Sequence, residues 1–370
     1  MPEIRHWNQS TTISSPSSII IKAILQKDRF SQFLYAFLIF LYMVRFFYPT
    51  YMVLFDSSSF YLLNNNLVKF ESLLNTFYIG YNCLVLIHAF YTRSLYAQFM
   101  KTLHEILDDN SFVANEHINI SQSTILKMLA CMCVYECTSD IIRSDLKTML
   151  NDFATLNYSN IILHGILFLA TFTWLSIVHL IIESCMYLQS VFIVIDNHLL
   201  HYQTNLHIIG SNHHVLMSIR SVYMKAIIAT RQLDKFNRYL IFGFYVYYTG
   251  YCLTIFGRFF YVANGSTAGN FIRFIGESAY VAVVTYYLVR INKLSISVYD
   301  RVYSFTLMKN KTNEFIHEVN FFLMRINQHD VGFTFGGLCI ITTNFVSTIL
   351  TIALTLGLGL PSLFTQMDHL

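Results

Sequence analysis

The chain has 370 residues, 55% of them apolar and 12% charged, with a formal net charge of +3. Average soluble domains carry roughly 25% charged residues, so this composition excludes an ordinary soluble enzyme, and the small positive balance gives no footing for nucleic-acid binding. With 33 Phe, 25 Tyr and a mean hydropathy of +0.48, the class that remains is an all-α membrane protein with several spans.

Residues 1–31 form a polar, Ser/Thr-rich segment (NQSTTISSPSS). No basic region runs straight into an apolar one there, so no signal peptide is expected, and SSIIIKAILQKDRF reads as a short amphipathic surface helix. The first span is placed at 32–55 and contains Arg45 and Pro49. A charge at mid-span costs about 2.5–3.5 kcal/mol on insertion scales, so Arg45 is expected to face the bundle, a cavity or a carboxylate. Pro49 is expected to kink that helix. The second span is placed at 67–91 and the third at 124–141, which carries Lys127, Glu136 and Asp140.

The fourth span is placed at 160–182, with Trp174 and His179, and its apolar periodicity runs on through YLQSVFIVIDNHLLHYQ. The helix is therefore expected to leave the membrane and continue in water, closing a unit at 32–189. A structureless loop over 190–238 is improbable at that length. Its apolar positions Leu216, Ile219, Tyr223, Ala226 and Leu233 recur at near-heptad spacing, so paired cytoplasmic helices are expected. The fifth and sixth spans fall at 239–261 and 271–289, inside a unit at 239–292. A second cytoplasmic helical linker is placed at 293–335, the last span at 336–363 and a short tail at 364–370.

That last span, GGLCIITTNFVSTILTIALTLGLGLPSL, has no charge and would measure about 42 Å as a helix against roughly 30 Å of hydrocarbon. Asn344, Thr348, Thr351 and Thr355 recur at i, i+4, i+7 and i+11 and share one stripe. Such a stripe lines water, bonds a neighbouring helix or bonds back to its own carbonyls. Pro361, with Gly357 and Gly359, is expected to weaken the helix near its end.

Orientation follows from the basic residues. With the N-terminus cytoplasmic, about 17 of the 24 Lys and Arg lie inside and about three (Lys69, Arg143, Lys147) outside, as positive charge requires. Seven transmembrane helices then place the C-terminus outside the cell. Among the sequons, Asn157 and Asn264 would be extracellular and open to glycosylation, whereas Asn8, Asn119 and Asn310 would be cytoplasmic. An inverted topology argues against a G-protein-coupled receptor, and neither a DRY-type triplet nor NPxxY is present.

Glu136, Asp140, Arg258, Arg273 and Glu277 fall near the outer third of the membrane. They read either as interfacial ion pairs or as part of an outward-opening polar pocket with Trp174, Tyr245, Tyr248, Tyr251 and Tyr280. His198, His201, His207, His213 and His214 read as a solvated helix surface, since no HExxH or zinc spacing completes them. The seven cysteines contain no CxxC pair and read as small apolar side chains. No phosphate loop or GxSxG occurs, so no enzyme, metal or cofactor is expected. No internal repeat suggests a transporter.

The passage FFLMRINQHDVGFTFGGLCIITTN, the long helical linker after the fourth span and the seven-span layout resemble the insect gustatory receptor family, relatives of insect odorant receptors. That family ends its last span with Thr-Tyr, five apolar residues and Gln-Phe. Here Thr355 keeps the first position, while Leu356, Ser362 and Leu363 stand where Tyr, Gln and Phe are expected. The resemblance implies a ligand-gated, non-selective cation channel subunit at the plasma membrane of a chemosensory neuron. It also implies a tetramer, homomeric or heteromeric, in which Asn344, Thr348, Thr351 and Thr355 line the pore and Leu356, Ser362 and Leu363 mark its gate. Its partners would be a small-molecule tastant, cations, the lipid bilayer and other receptor subunits. The other readings are a receptor that signals through a transducer without its own pore and an obligate co-receptor.

Overall fold

The computed structural model describes residues 29–55, 66–107, 111–143, 158–205, 212–261, 267–308 and 311–367. The amphipathic piece before residue 29 lies outside these residues, as do Asn157, Asn264 and His207. The described chain is a bundle of α-helices with one small hairpin. In order, they are α1 (Arg29–Phe55), α2 (Asn66–Tyr91), α3 (Arg93–Leu107), α4 (Ser111–Arg143), α5 (Tyr158–Thr204), α6 (His213–Tyr261) and α7 (Thr267–Ser304). A single 3-10 turn (Phe305–Leu307) leads to α8 (Asn313–Ile326), β1 (Thr334–Phe335), β2 (Cys339–Ile340) and α9 (Thr343–Met367).

The longest helices are those whose apolar pattern outruns a bilayer. At 47 and 49 residues, α5 and α6 measure about 70 Å each. Almost every side chain of α5 from Leu175 to Ile195 is buried, because α4, α6 and α7 surround it. A helix apolar on all sides needs such a jacket. Two helical stretches among the described residues, Leu175–Thr204 and Phe274–Leu307, are long and apolar enough to cross a membrane. Gln32–Val44 and Thr343–Gly357 are shorter apolar helices.

The segment after α2 folds as an amphipathic helix. In α3, Tyr96, Phe99, Met100, Leu103, Ile106 and Leu107 are buried on one face, against α6. Glycine permits the close approach where α2 meets α6: a Cβ at Gly243 would collide with the Tyr81 ring. The Tyr81 hydroxyl donates to the Tyr239 carbonyl at 2.7 Å.

Charge appears where the long helices run past this apolar part. Arg301 of α7 grips Asp196 of α5, and Arg220 of α6 grips Glu318 of α8. The Tyr223 hydroxyl crosses from α6 to donate to the Ser295 carbonyl on α7 at 3.1 Å. Thr312 caps α8 by accepting from the Phe315 N–H at 3.2 Å. The histidine-rich surface also sits here, with His213 beside Glu314 at 3.4 Å.

Several element boundaries differ from the sequence expectations. The helix around the expected third span begins at Ser111, since Ile118 and Ile125 already pack in the core. The last helix begins at Thr343 rather than 336. Gly336 and Gly337 have φ of 62° and 83°, a left-handed conformation that ends any helix and makes the β1–β2 turn. The backbone of α1 is helical through Pro49 and that of α9 through Pro361 to Met367.

Candidate pore helix and ligand groove

The root of α9 is built from the residues before it. β1 and β2 pair antiparallel, Thr334 opposite Ile340 and Phe335 opposite Cys339. In the turn, the Gly337 N–H donates to Thr334 Oγ1 at 3.1 Å and the Leu338 N–H to the Phe335 carbonyl at 3.0 Å. Thr342 then caps α9 by accepting from the Phe345 N–H at 3.4 Å.

This hairpin is fastened to α6 by two carboxylates. Asp234 accepts from the Thr334 N–H at 2.6 Å and from its hydroxyl at 3.0 Å. Asp330 receives Arg231 at 2.6 Å and both guanidinium nitrogens of Arg325 at 2.9 and 3.2 Å, a forked, charge-assisted arrangement. The two acids are tuned in opposite directions. Burial pushes the Asp234 carboxyl up, against the hydrogen bonds from Thr334 and the charge of Arg238. Burial also works against the Asp330 charge, but the hydrogen bonds and charges of Arg325 and Arg231 outweigh it and hold that carboxyl below the usual carboxylate range. Asn292 of α7 adds a third tie, donating to the Val331 carbonyl at 2.8 Å. An aromatic knot completes the root: Phe335 lies 4.9 Å from Phe242 and 5.4 Å from Phe345, and Tyr245 meets Phe345 edge-on at 5.5 Å.

Above this root, Asn344, Thr348, Thr351 and Thr355 all lie on an exposed face of α9. Each threonine hydroxyl donates back into its own helix: Thr348 to the Asn344 carbonyl at 2.9 Å, Thr351 to Ser347 at 2.9 Å and Thr355 to Thr351 at 2.8 Å. The protons thus point inward and oxygen lone pairs remain outward. Leu356 is exposed, as are Leu350, Ile352 and Leu354. Ser362 and Leu363 lie on the helical backbone near its end, but their side chains are outside the described set.

The tyrosines expected in an outward-opening pocket pack on one another in a ladder. Tyr248 stacks on Tyr280 at 5.8 Å, Tyr247 on Tyr251 at 5.6 Å and Tyr78 on Tyr247 at 3.7 Å. The Tyr280 hydroxyl donates to the Met132 carbonyl of α4 at 3.3 Å. Glu277 is buried one turn before Tyr280. Tyr248 and Tyr280 therefore meet between α6 and α7, with Tyr280 reaching α4, while Tyr251 joins them through Tyr247, which faces Tyr78 of α2. Glu136, Trp174 and Arg258 lie on α4, α5 and α6, with side chains outside the described set.

A different concavity opens beside this ladder. It has a volume of about 510 Å³ and is walled by Tyr245, Tyr248 and Leu253 of α6, Phe274, Val281 and Thr285 of α7, and Val346, Ile349 and Ala353 of α9, among others. That volume is within the common range of small-molecule sites. Of the tyrosines that the sequence places in a pocket, Tyr245 and Tyr248 border this groove. Thr285, Thr343 and the α9 wall carry no pattern that separates them from core positions. Among the described residues, no group of three or more His, Cys, Asp or Glu is placed to hold a metal ion.

No protein-family model matches the chain, and no curated protein matches it in sequence. Its fold is similar to the structure of the insect olfactory receptor OR5 from Machilis hrabei, with a TM-score of 0.59, 11% identity and 90% of each chain covered. The same receptor in complex with eugenol aligns with a TM-score of 0.55 and 12% identity, over 92% of this chain and 91% of that one. At such identity the likeness is one of fold alone: the helices of this chain are arranged similarly to those of that insect olfactory receptor.

Proposed function

We propose that the chain is a subunit of a gustatory-type chemosensory receptor, a ligand-gated, non-selective cation channel that detects a small-molecule tastant. The observation that carries this reading is the polar face of α9, left uncovered by the rest of a chain with the fold of an insect olfactory receptor. An apolar helix with an exposed threonine stripe is complete only when other copies bring their own stripes to it. Four such stripes give a wettable path. Because the hydroxyl protons are engaged inside the helix, the path presents oxygen lone pairs, which favour cations over anions.

In this reading the chain crosses the plasma membrane of a chemosensory neuron seven times, with its N-terminus in the cytoplasm. The segments of α5 to α8 that carry the ion pairs lie in the cytoplasm and hold the subunits together. Leu356, Ser362 and Leu363 stand at the outer constriction. The tastant sits by the ladder of Tyr248, Tyr251, Tyr280 and Glu277, with Glu136 and Trp174 on α4 and α5 and Arg258 further along α6. Eugenol in the neighbouring receptor makes small uncharged organic compounds the first class to screen.

The test is current recording in cells expressing the chain, alone and with candidate partner subunits. Tastant-evoked currents that persist when G-protein signalling is blocked, and whose unitary size falls in Thr351→Leu, support the channel. Currents abolished by that block, or unitary currents unchanged by Thr351→Leu at normal surface expression, overturn it.

A further inference from the structure

The groove between α6, α7 and α9 opens on the other side of the tyrosine ladder proposed for the tastant, sharing only Tyr248 with it, and its lining carries a more specific chemistry than an apolar gap. We infer that it binds a single-chain neutral amphiphile with one hydroxyl head, a medium-chain alcohol in chemical class. The inference rests on the fold alone and does not require the chain to conduct ions.

The shape favours an elongated ligand. The α9 wall runs from Thr343 to Leu354, about 16 Å of helix, so the groove is a long slot. Val289 and Thr343 stand at one end, Phe274 and Leu354 at the other, because α7 runs antiparallel to α6 and α9. No lining residue carries a charge. A fatty-acid carboxylate or a phosphate head drawn into the slot would have no ionic partner there, and an unpaired buried charge is prohibitive.

Polar groups line both ends of the slot, but only one end keeps a hydroxyl pair with a proton to spare. At its Val289 end the Tyr245 hydroxyl and Thr285 Oγ1 lie 2.8 Å apart, both side chains buried. Two hydroxyls joined by one hydrogen bond use one proton; the other has no acceptor among the described residues. Such a pair offers one donor and free lone pairs, the complement of a third hydroxyl. A plain alkane would leave that donor unsatisfied, and a buried unsatisfied donor is costly. At the far end Ser278 and Cys252 hydrogen-bond to each other, and Leu253, Phe274, Leu350 and Leu354 around them suit a hydrocarbon tail.

The third wall gives the site its significance. Val346, Ile349 and Ala353 project from the side of α9 opposite Thr348, Thr351 and Thr355. An occupant of the slot therefore lies directly on the back of the helix whose front carries the stripe.

The experiment uses the full-length protein in lipid nanodiscs and a decan-1-ol bearing a mid-chain diazirine, with photolabelled peptides mapped by mass spectrometry. Adducts are expected on α6, α7 and α9 peptides that border the slot. Unmodified decan-1-ol should compete at least about five-fold better than decane. Tyr245→Phe and Thr285→Val should each narrow that difference, and Ala353→Phe, which fills the slot, should abolish labelling while the protein stays monodisperse. Equal competition by alcohol and alkane would mean that bilayer acyl chains fill the slot and would overturn the proposal. So would adducts confined to other helices, including a slot closed by a neighbouring copy. Alcohol selectivity unchanged in both Tyr245→Phe and Thr285→Val, in samples that remain monodisperse, would overturn it as well.

Discussion

At the scale of single residues, the threonines of α9 and the acids of its root do separate work. Replacing Thr351 by Val keeps the shape and removes the outward oxygen, so unitary conductance is expected to fall less than in Thr351→Leu, which adds bulk as well; single-channel recording ranks the three. The root acids predict a pH profile. The lowered carboxyl of Asp330 contributes stability that is complete above the ordinary carboxylate value and is lost as pH falls through its folded value. Asp234, raised by burial, has the opposite sign: its contribution is present below the ordinary value and disappears as pH rises through the raised one. Asp330→Asn should therefore lower thermal stability near neutral pH by about 1–2 kcal/mol and flatten its loss on acidification. Asp234→Asn should steepen that loss. Melting followed by size-exclusion chromatography from about pH 7 to about pH 4 separates the two. Of these residues the stripe was legible in the sequence, because a helix repeats its faces at fixed spacing. The hydroxyl pair of Tyr245 and Thr285 was not: its members lie on different helices, and in a chain with 25 Tyr no single tyrosine stands out.

At the scale of elements, periodicity locates the long helices, since an apolar face that keeps helical spacing over so many turns has to be buried against other helices. It misplaces the start of α9 because residues 336–342 are apolar and uncharged, and an apolar run does not distinguish a buried turn from a helix. The information lies in Gly336 and Gly337, whose adjacent left-handed conformations no other residue type adopts cheaply. Gly337→Val is the corresponding test. A Cβ at Gly337 meets nothing closer than Arg238 at 3.5 Å, so the expected loss of about 1–2 kcal/mol is backbone strain alone. A melting temperature unchanged in Gly337→Val would show that the turn adopts another conformation. The start of α4 is obscured for a different reason: Glu116, His117 and Asn119 make the first turns look like loop, while Ile118 and Ile125 on the opposite side pack inward. The His117 ring also shares a hydrogen bond with Ser190 of α5 at 2.8 Å.

At the scale of the whole molecule, the proposed topology is open to a direct check. Tags before Met1 and after Leu370 should be stained only after permeabilisation and on intact cells, respectively. Glycosidase treatment should increase gel mobility, and Asn157→Gln should remove at least part of that shift. The reverse staining pattern would exclude the receptor-channel reading, and both tags on one side would mean a miscounted span. The way α9 is mounted adds a mechanical consequence. It is rooted through the β1–β2 hairpin on α6, while its stripe and much of its apolar surface meet nothing from the same chain. A rod of 25 residues, about 37 Å long, fixed at one end is a cantilever. A tilt of about 10° at the hairpin would sweep its tip through about 6 Å, so Asp234, Asp330 and the Phe335 knot act on the far end of the helix with the full length of the rod as their lever arm.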